Sequence, residues 1–91
     1  MKTKNDGFVP AKKRIAVTTG EAIRMLRELK GWTQEKLARR SGINAKNISM
    51  LEHDHIDIGK KRAERLAKAF GVHPAIIMFP EYEGEQIQRA A

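Results

Sequence analysis

Ninety-one residues, 41% of them hydrophobic, are enough for one small domain with a modest core, so a second domain is not expected. Eighteen basic against eleven acidic residues give a formal charge of +7 and a pI near 10.1, the range of chains that meet a polyanion such as nucleic acid. Zero cysteines exclude disulfides and thiolate metal sites; with no apolar run of membrane-spanning length and no signal-peptide core, a cytoplasmic protein is expected.

Residues 1 to 13, MKTKNDGFVPAKK, hold Gly7, Pro10 and four lysines without a helical period, and residues 1–17 are read as a flexible basic arm. Two readings of it stay open. Lys2, Lys4, Lys12, Lys13 and Arg14 follow a DNA groove or backbone, or the arm is an ordinary solvated terminus. The folded domain is expected over residues 18–79. Its first helix begins near Thr18 or Thr19, where Thr18 and Glu21 have capping-box spacing, and ends near Lys30 before Gly31. Ala22, Ile23, Met25, Leu26 and Leu29 form its expected buried stripe. Trp32 is read as a core plug between the first two helices rather than a base-stacking platform.

The next stretch, QEKLARRSGINAKNISMLEH from Gln34 to His53, organises the chain. Apolar residues fall at Leu37, Ala38, Ile43, Ile48 and Leu51, and Gly42 interrupts them where the chain must turn. Thr33 and Asn44 each stand where an N-cap is needed. The small Ala38 suits a close approach of two helix backbones, and glycine at position 42 supplies a positive φ. The pattern predicts a second helix over about Gln34 to Ser41 and a third over about Ala45 to His53, joined as a helix-turn-helix.

A polar loop, HDHID, follows. A fourth helix is predicted over about Lys60 to Phe70, burying Ala63, Leu66, Ala67 and Phe70, with Gly71 ending it. Pro74 suits the first turn of a short fifth helix, and Ile76, Ile77, Met78 and Phe79 give it apolar surface before Pro80. The expected fold is all-α, with five helices. Residues 80–91 form an acidic tail: positions 81 to 91 hold three acidic residues and one basic, while 1 to 80 hold 17 basic and 8 acidic.

These residues resemble the Cro and phage-repressor type of helix-turn-helix domain, the xenobiotic-response-element family, over about residues 19 to 79. The resemblance is carried by Arg24, Arg27, Gly31, Thr33, Gln34, Leu37 and Ala38, then Ser41 and Gly42, Ile48, Leu51 and Glu52, and the LAKAFGV segment from Leu66 to Val72. Most of the family carries an Asn-Gly turn after the third helix, where this chain has His53 and Asp54. The resemblance implies a lambda-repressor-like domain that binds operators as a homodimer, places the third helix in the major groove and represses transcription. It also implies a structural ion pair between Arg27 and Glu52.

A helical wheel assigns the faces of the third helix independently. At about 100° per residue, Lys46, Ser49, Met50 and His53 fall about 100° to 200° from Ile48, away from the core and toward double-stranded DNA. Lys46 has the donors for guanine O6 and N7, Ser49 donates or accepts, and Met50 or Ala45 suits a thymine methyl. The alternative for Lys46 is a phosphate contact or a solvated side chain. Asn44 has the chemistry to read adenine, although its amide is claimed by the capping role. Phosphate contacts are expected from Thr33, Gln34, Asn47, His53, Lys60 and Lys61, in part because helix N-termini offer unpaired amides to anions.

No catalytic group is expected, because no serine, histidine and carboxylate set carries a motif. Neither a cofactor nor a metal is called for: His53 and His55 flank Asp54, but the one further histidine, His73, is distant. The leading functional expectation is a sequence-specific, dimeric transcriptional repressor. The alternative is the antitoxin of a toxin-antitoxin pair, binding its own operator through the same helices and a toxin protein through the arm or tail.

Overall fold

The computed structural model describes residues 17–80, so the arm and the acidic tail lie almost entirely outside the described residues. Five helices follow in order: α1 (Thr19–Leu29), α2 (Gln34–Ser41), α3 (Ala45–Glu52), α4 (Gly59–Phe70) and α5 (Pro74–Met78). The all-α expectation holds, and each predicted helix is present within a residue or so of its predicted ends.

The boundaries follow from local chemistry. Thr18 closes a capping box on α1: its hydroxyl accepts from the Glu21 N–H at 3.0 Å, and the Glu21 carboxylate accepts from the Thr18 N–H at 3.1 Å. The Thr33 hydroxyl accepts from the Lys36 N–H at 3.0 Å, and Asn44 Oδ1 from the Asn47 N–H at 2.8 Å, satisfying donors that the first turns of α2 and α3 leave unpaired. Gly42 ends α2 at φ 76°, a left-handed conformation that a side chain would strain. Pro74 opens α5, where its fixed φ fits and its missing N–H costs nothing.

Ile23, Leu37, Ile43, Ile48, Leu51, Leu66, Ala67, Phe70 and Ile77 form one buried cluster fed by every helix. Fully burying each of its large aliphatic side chains contributes roughly 1.5–3 kcal/mol, and this drives the packing of helices too short to persist alone. Trp32 is half-buried against the cluster, but its partner is the end of α4: the Trp32 and Phe70 rings stack with centroids 5.9 Å apart, and the Arg40 guanidinium lies 5.1 Å from the indole centroid. The expected plug between the first two helices is therefore better described as a lid on α4.

The stripe expected on α1 needs correction. Ala22 and Ile23 are buried and Leu26 is half-buried, but Met25 is 51% exposed and Leu29 81%. Arg27 is the cause. α1 turns the face bearing Gly20, Ile23 and Arg27 toward α3, so Arg27 occupies a position that an apolar stripe would assign to leucine. At about 100° per residue, Met25 then points about 160° away from Ile23.

Candidate nucleic-acid interface

α3 is clamped to α1 at two places near its C-terminal end. At the first, the Arg27 guanidinium grips Glu52: Nε donates to Oε2 at 2.6 Å and Nη2 to Oε1 at 3.1 Å, with only 13% of the arginine side chain and 2% of the glutamate exposed. A fork of this kind matches the carboxylate in geometry as well as charge. Arg27 Nη1 donates to the Trp32 carbonyl at 2.9 Å, tying the α1–α2 connection to the same group. The hydrogen bond to Glu52, more than the Coulomb attraction, holds the arginine pKa above its ordinary value despite the opposing effect of burial.

The second clamp lies just past α3. Asp54 has φ 58°, the left-handed region that costs a non-glycine residue strain but is tolerated best by Asp and Asn. Its carboxylate accepts from the Thr18 hydroxyl at 2.7 Å and from the Gly20 N–H at 2.9 Å. Two contacts to the start of α1 thus stabilise the turn in which this chain departs from the family's Asn-Gly. Asp54→Ala removes both acceptors and keeps the unfavourable φ, so it is expected to lower stability by about 1–2 kcal/mol, the upper part of the range for a lost helix cap. Asp54→Asn should lose less, since its carbonyl still accepts. Urea melts of the two variants check the order, and an alanine variant as stable as the parent would refute it.

With its inner face held, α3 turns a polar surface outward. Lys46 and His53 are exposed, and Ser49, Met50, Ala45 and Asn47 are half-buried around them. Asn44 is exposed at the N-cap with its carbonyl oxygen committed to Asn47, leaving the amide NH2 for any other contact. His53 Nδ1 lies 2.8 Å from the Ser49 carbonyl; a carbonyl only accepts, so Nδ1 carries the hydrogen, and Nε2 can donate to a phosphate in the imidazolium form. Thr33 is exposed at the start of α2. Gln34, the next residue, has its Nε2 3.0 Å from Glu52 Oε1, a contact that sequence reasoning missed.

Lys60 and Lys61 stand exposed in the first turn of α4. That turn has no side-chain cap, unlike those of the other four helices. Two lysines placed against the positive end of a helix dipole, beside uncapped amides, are unfavourable for the isolated fold and suited to a bound anion. Arg65, further along α4, donates to the Gly42 carbonyl of the turn between α2 and α3 at 3.5 Å. Among the described residues no three His, Asp or Glu side chains are grouped to hold a metal, and no helix is long and apolar enough to cross a membrane.

Comparison with known proteins shows the family to which these helices belong. A family described as helix-turn-helix matches residues 23–77. A "Neisseria hypothetical transcription factor" from Neisseria meningitidis serogroup B is 34% identical over 61 residues, 67% of this chain and 58% of that one. A "competence pilus inhibition repressor" from Acinetobacter baylyi is 45% identical over 51 residues, 56% of this chain and 46% of that one. The chain thus spans about half the length of these curated relatives. The crystal structure of the hypothetical transcription factor NHTF from Neisseria superposes with a TM-score of 0.69 at 27% identity, covering 90% of this chain and 94% of that one. With a matched span that runs from within α1 to α5, the chain belongs to the helix-turn-helix family, in its xenobiotic-response-element branch.

Proposed function

We propose that this protein is a sequence-specific DNA-binding transcriptional regulator, a homodimeric repressor that inserts α3 into the major groove. The observation that carries the reading is the division of α3 itself. Ile48, Leu51 and Glu52 are buried, Arg27 fixes Glu52, and the opposite face presents Lys46, Ser49 and Met50 on a helix that cannot easily rotate. Preorganised donors on a rigid element suit base-edge recognition, because little ordering entropy is spent on binding. Phosphates would be met by Thr33 and Gln34 on one side, by Asn47 and His53, and by Lys60 and Lys61 at the uncapped start of α4. The names of the Acinetobacter and Neisseria relatives support regulation, and the former supports repression.

The dimer is supported by exposed apolar side chains on α1 and after α5. Ile76, Ile77, Met78, Phe79 and Tyr82 are the residues that the sequence offers for such a contact. Ile77 is withdrawn into the core at 0% exposure, Ile76 and Met78 are half-buried, and Tyr82 lies outside the described residues. Among the described residues, Phe79 at 52%, Met25 and Leu29 are the large hydrophobics left exposed, and α1 packs beside α5. The antitoxin alternative rests on the arm and the tail, which lie outside the described residues.

Selection of preferred DNA from a random pool tests the proposal. A dimer is expected to recover inverted half-sites about 34–36 Å apart. Binding should weaken by about 10³ to 10⁵ between 50 and 200 mM salt if roughly 6 to 10 phosphates are contacted. Lys46→Ala should relax the preferred base at one position of each half-site, with a loss of about 1–3 kcal/mol in discrimination, whereas Lys60→Ala should weaken all sequences alike. An unchanged preference in Lys46→Ala would remove lysine 46 as the reader, and a pool without enrichment would refute sequence-specific binding.

A further inference from the structure

The Arg27–Glu52 pair does more than join two helices, because its carboxylate has a third donor. Glu52 Oε1 accepts from Arg27 Nη2 and also from Gln34 Nε2 at 3.0 Å. An ionised carboxylate only accepts, so the amide of Gln34 must turn its nitrogen, not its oxygen, toward Glu52. One N–H is then committed, and the second has no acceptor among the described residues. Gln34 is the first residue of α2, half-buried beside the exposed Thr33, in the turn where the helix presents unpaired amides.

We infer that Glu52 is a positioning residue for DNA binding: held by Arg27, it orients the Gln34 side chain so that its remaining N–H is set in advance for a backbone phosphate at the start of α2. The inference rests on the DNA-binding reading above. A long side chain immobilised on binding costs roughly 0.5–1.5 kcal/mol of ordering, and a buried acceptor that has already oriented it removes most of that cost. The relay links the half-buried Arg27 of α1 to the anchoring of α2 on the DNA backbone.

Removing Glu52 alone would strand the half-buried arginine, so the test removes both charges. Arg27→Met/Glu52→Leu replaces the pair with apolar side chains of similar reach, a change that folded domains commonly accept. Each phosphate of a selected site is then neutralised in turn as a methylphosphonate. In the parent protein, neutralising the phosphate that faces Gln34 should weaken binding roughly tenfold, the size of one charge-assisted hydrogen bond. Gln34→Met should abolish that loss. In the double variant the loss should fall to roughly twofold, with the losses at all other phosphates unchanged.

A purely structural ion pair would leave the full tenfold loss in the double variant, and that result overturns the inference. Should the double variant fail to fold, the Gln34 side-chain amide of the free parent protein decides the matter by NMR relaxation. An order parameter near the rigid-backbone value of about 0.85 supports the relay, and one below about 0.6 overturns it. If Gln34→Met changes no phosphate's effect while specific binding persists, the inference fails and the DNA-binding reading stands. If no sequence is bound specifically, the reading itself fails.

Discussion

Gly20→Ala is expected to destabilise the domain on the order of 3 kcal/mol or more, although alanine is the better helix former by about 1 kcal/mol. Gly20 lies in α1 without a positive φ, so the requirement is one of space. A Cβ there would press on the Leu51 carbonyl oxygen, lie 2.6 Å from the Glu52 carbonyl oxygen and 2.8 Å from Asp54 Oδ1. Two of those three atoms are backbone at the end of α3. They cannot rotate away, and moving them means prising α3 from α1 and breaking the Asp54 clamp or the Arg27–Glu52 fork. At about 4–8 °C per kcal/mol for a domain of this size, the melting temperature should fall by more than about 10 °C. A Gly20→Ala protein that melts at or above the parent temperature would show that α1 and α3 separate at little cost, and the close approach would lose its structural meaning. Because the displaced element is α3, the helix proposed to enter the major groove, DNA affinity should fall with stability even in whatever fraction stays folded.

That contact also marks the limit of what a sequence discloses. The caps, Thr18 with Glu21, Thr33 and Asn44, act within three residues of themselves, so chain order alone reveals them. The core faces of α2, α3 and α4 follow from periodicity because apolar side chains alone compete for them. α1 breaks the rule: an arginine occupies part of its buried face, and two large hydrophobics, Met25 and Leu29, are left outside. Periodicity counts apolar residues and has no means of knowing that a charge with a distant partner is the better-buried group. The close packing at Gly20, its N–H to Asp54 and the amide of Gln34 on Glu52 join residues 34 and 18 apart, and each depends on how helices dock rather than on any local pattern. The one signal available was negative. His53 and Asp54 stand where the family favours Asn-Gly, and a residue that departs from a turn requirement must be stabilised by something else, which here is the start of α1. The outward face of α3 was legible for the opposite reason: with Ile48 and Leu51 committed to the core, helical geometry leaves Lys46, Ser49 and Met50 nowhere else to point.

Glu52→Ala is expected to be the costliest single change at the interface's inner side, while Lys46→Ala is expected to be nearly silent in stability. Truncating Glu52 leaves the Arg27 guanidinium, 13% exposed, without its counter-charge and with its Nε and Nη2 donors unmatched; breaking a buried pair in this way costs about 3–5 kcal/mol. Against a total stability of about 5–15 kcal/mol for a small domain, that loss takes many molecules close to the unfolding threshold. Lys46 is exposed and makes no hydrogen bond among the described residues, so its removal should change stability by no more than about 0.5 kcal/mol. Binding should rank the other way once stability is accounted for. Assayed cold enough to keep both variants folded, Glu52→Ala retains the base preference of the parent with weaker affinity, and Lys46→Ala loses preference at its base. Paired thermal melts and pool selections on the two variants separate the roles. Equal melting temperatures would mean that the Arg27–Glu52 fork contributes little net stability, and the rigidity that the proposed DNA-facing side of α3 requires would then have to come from the apolar core and the Asp54 clamp alone.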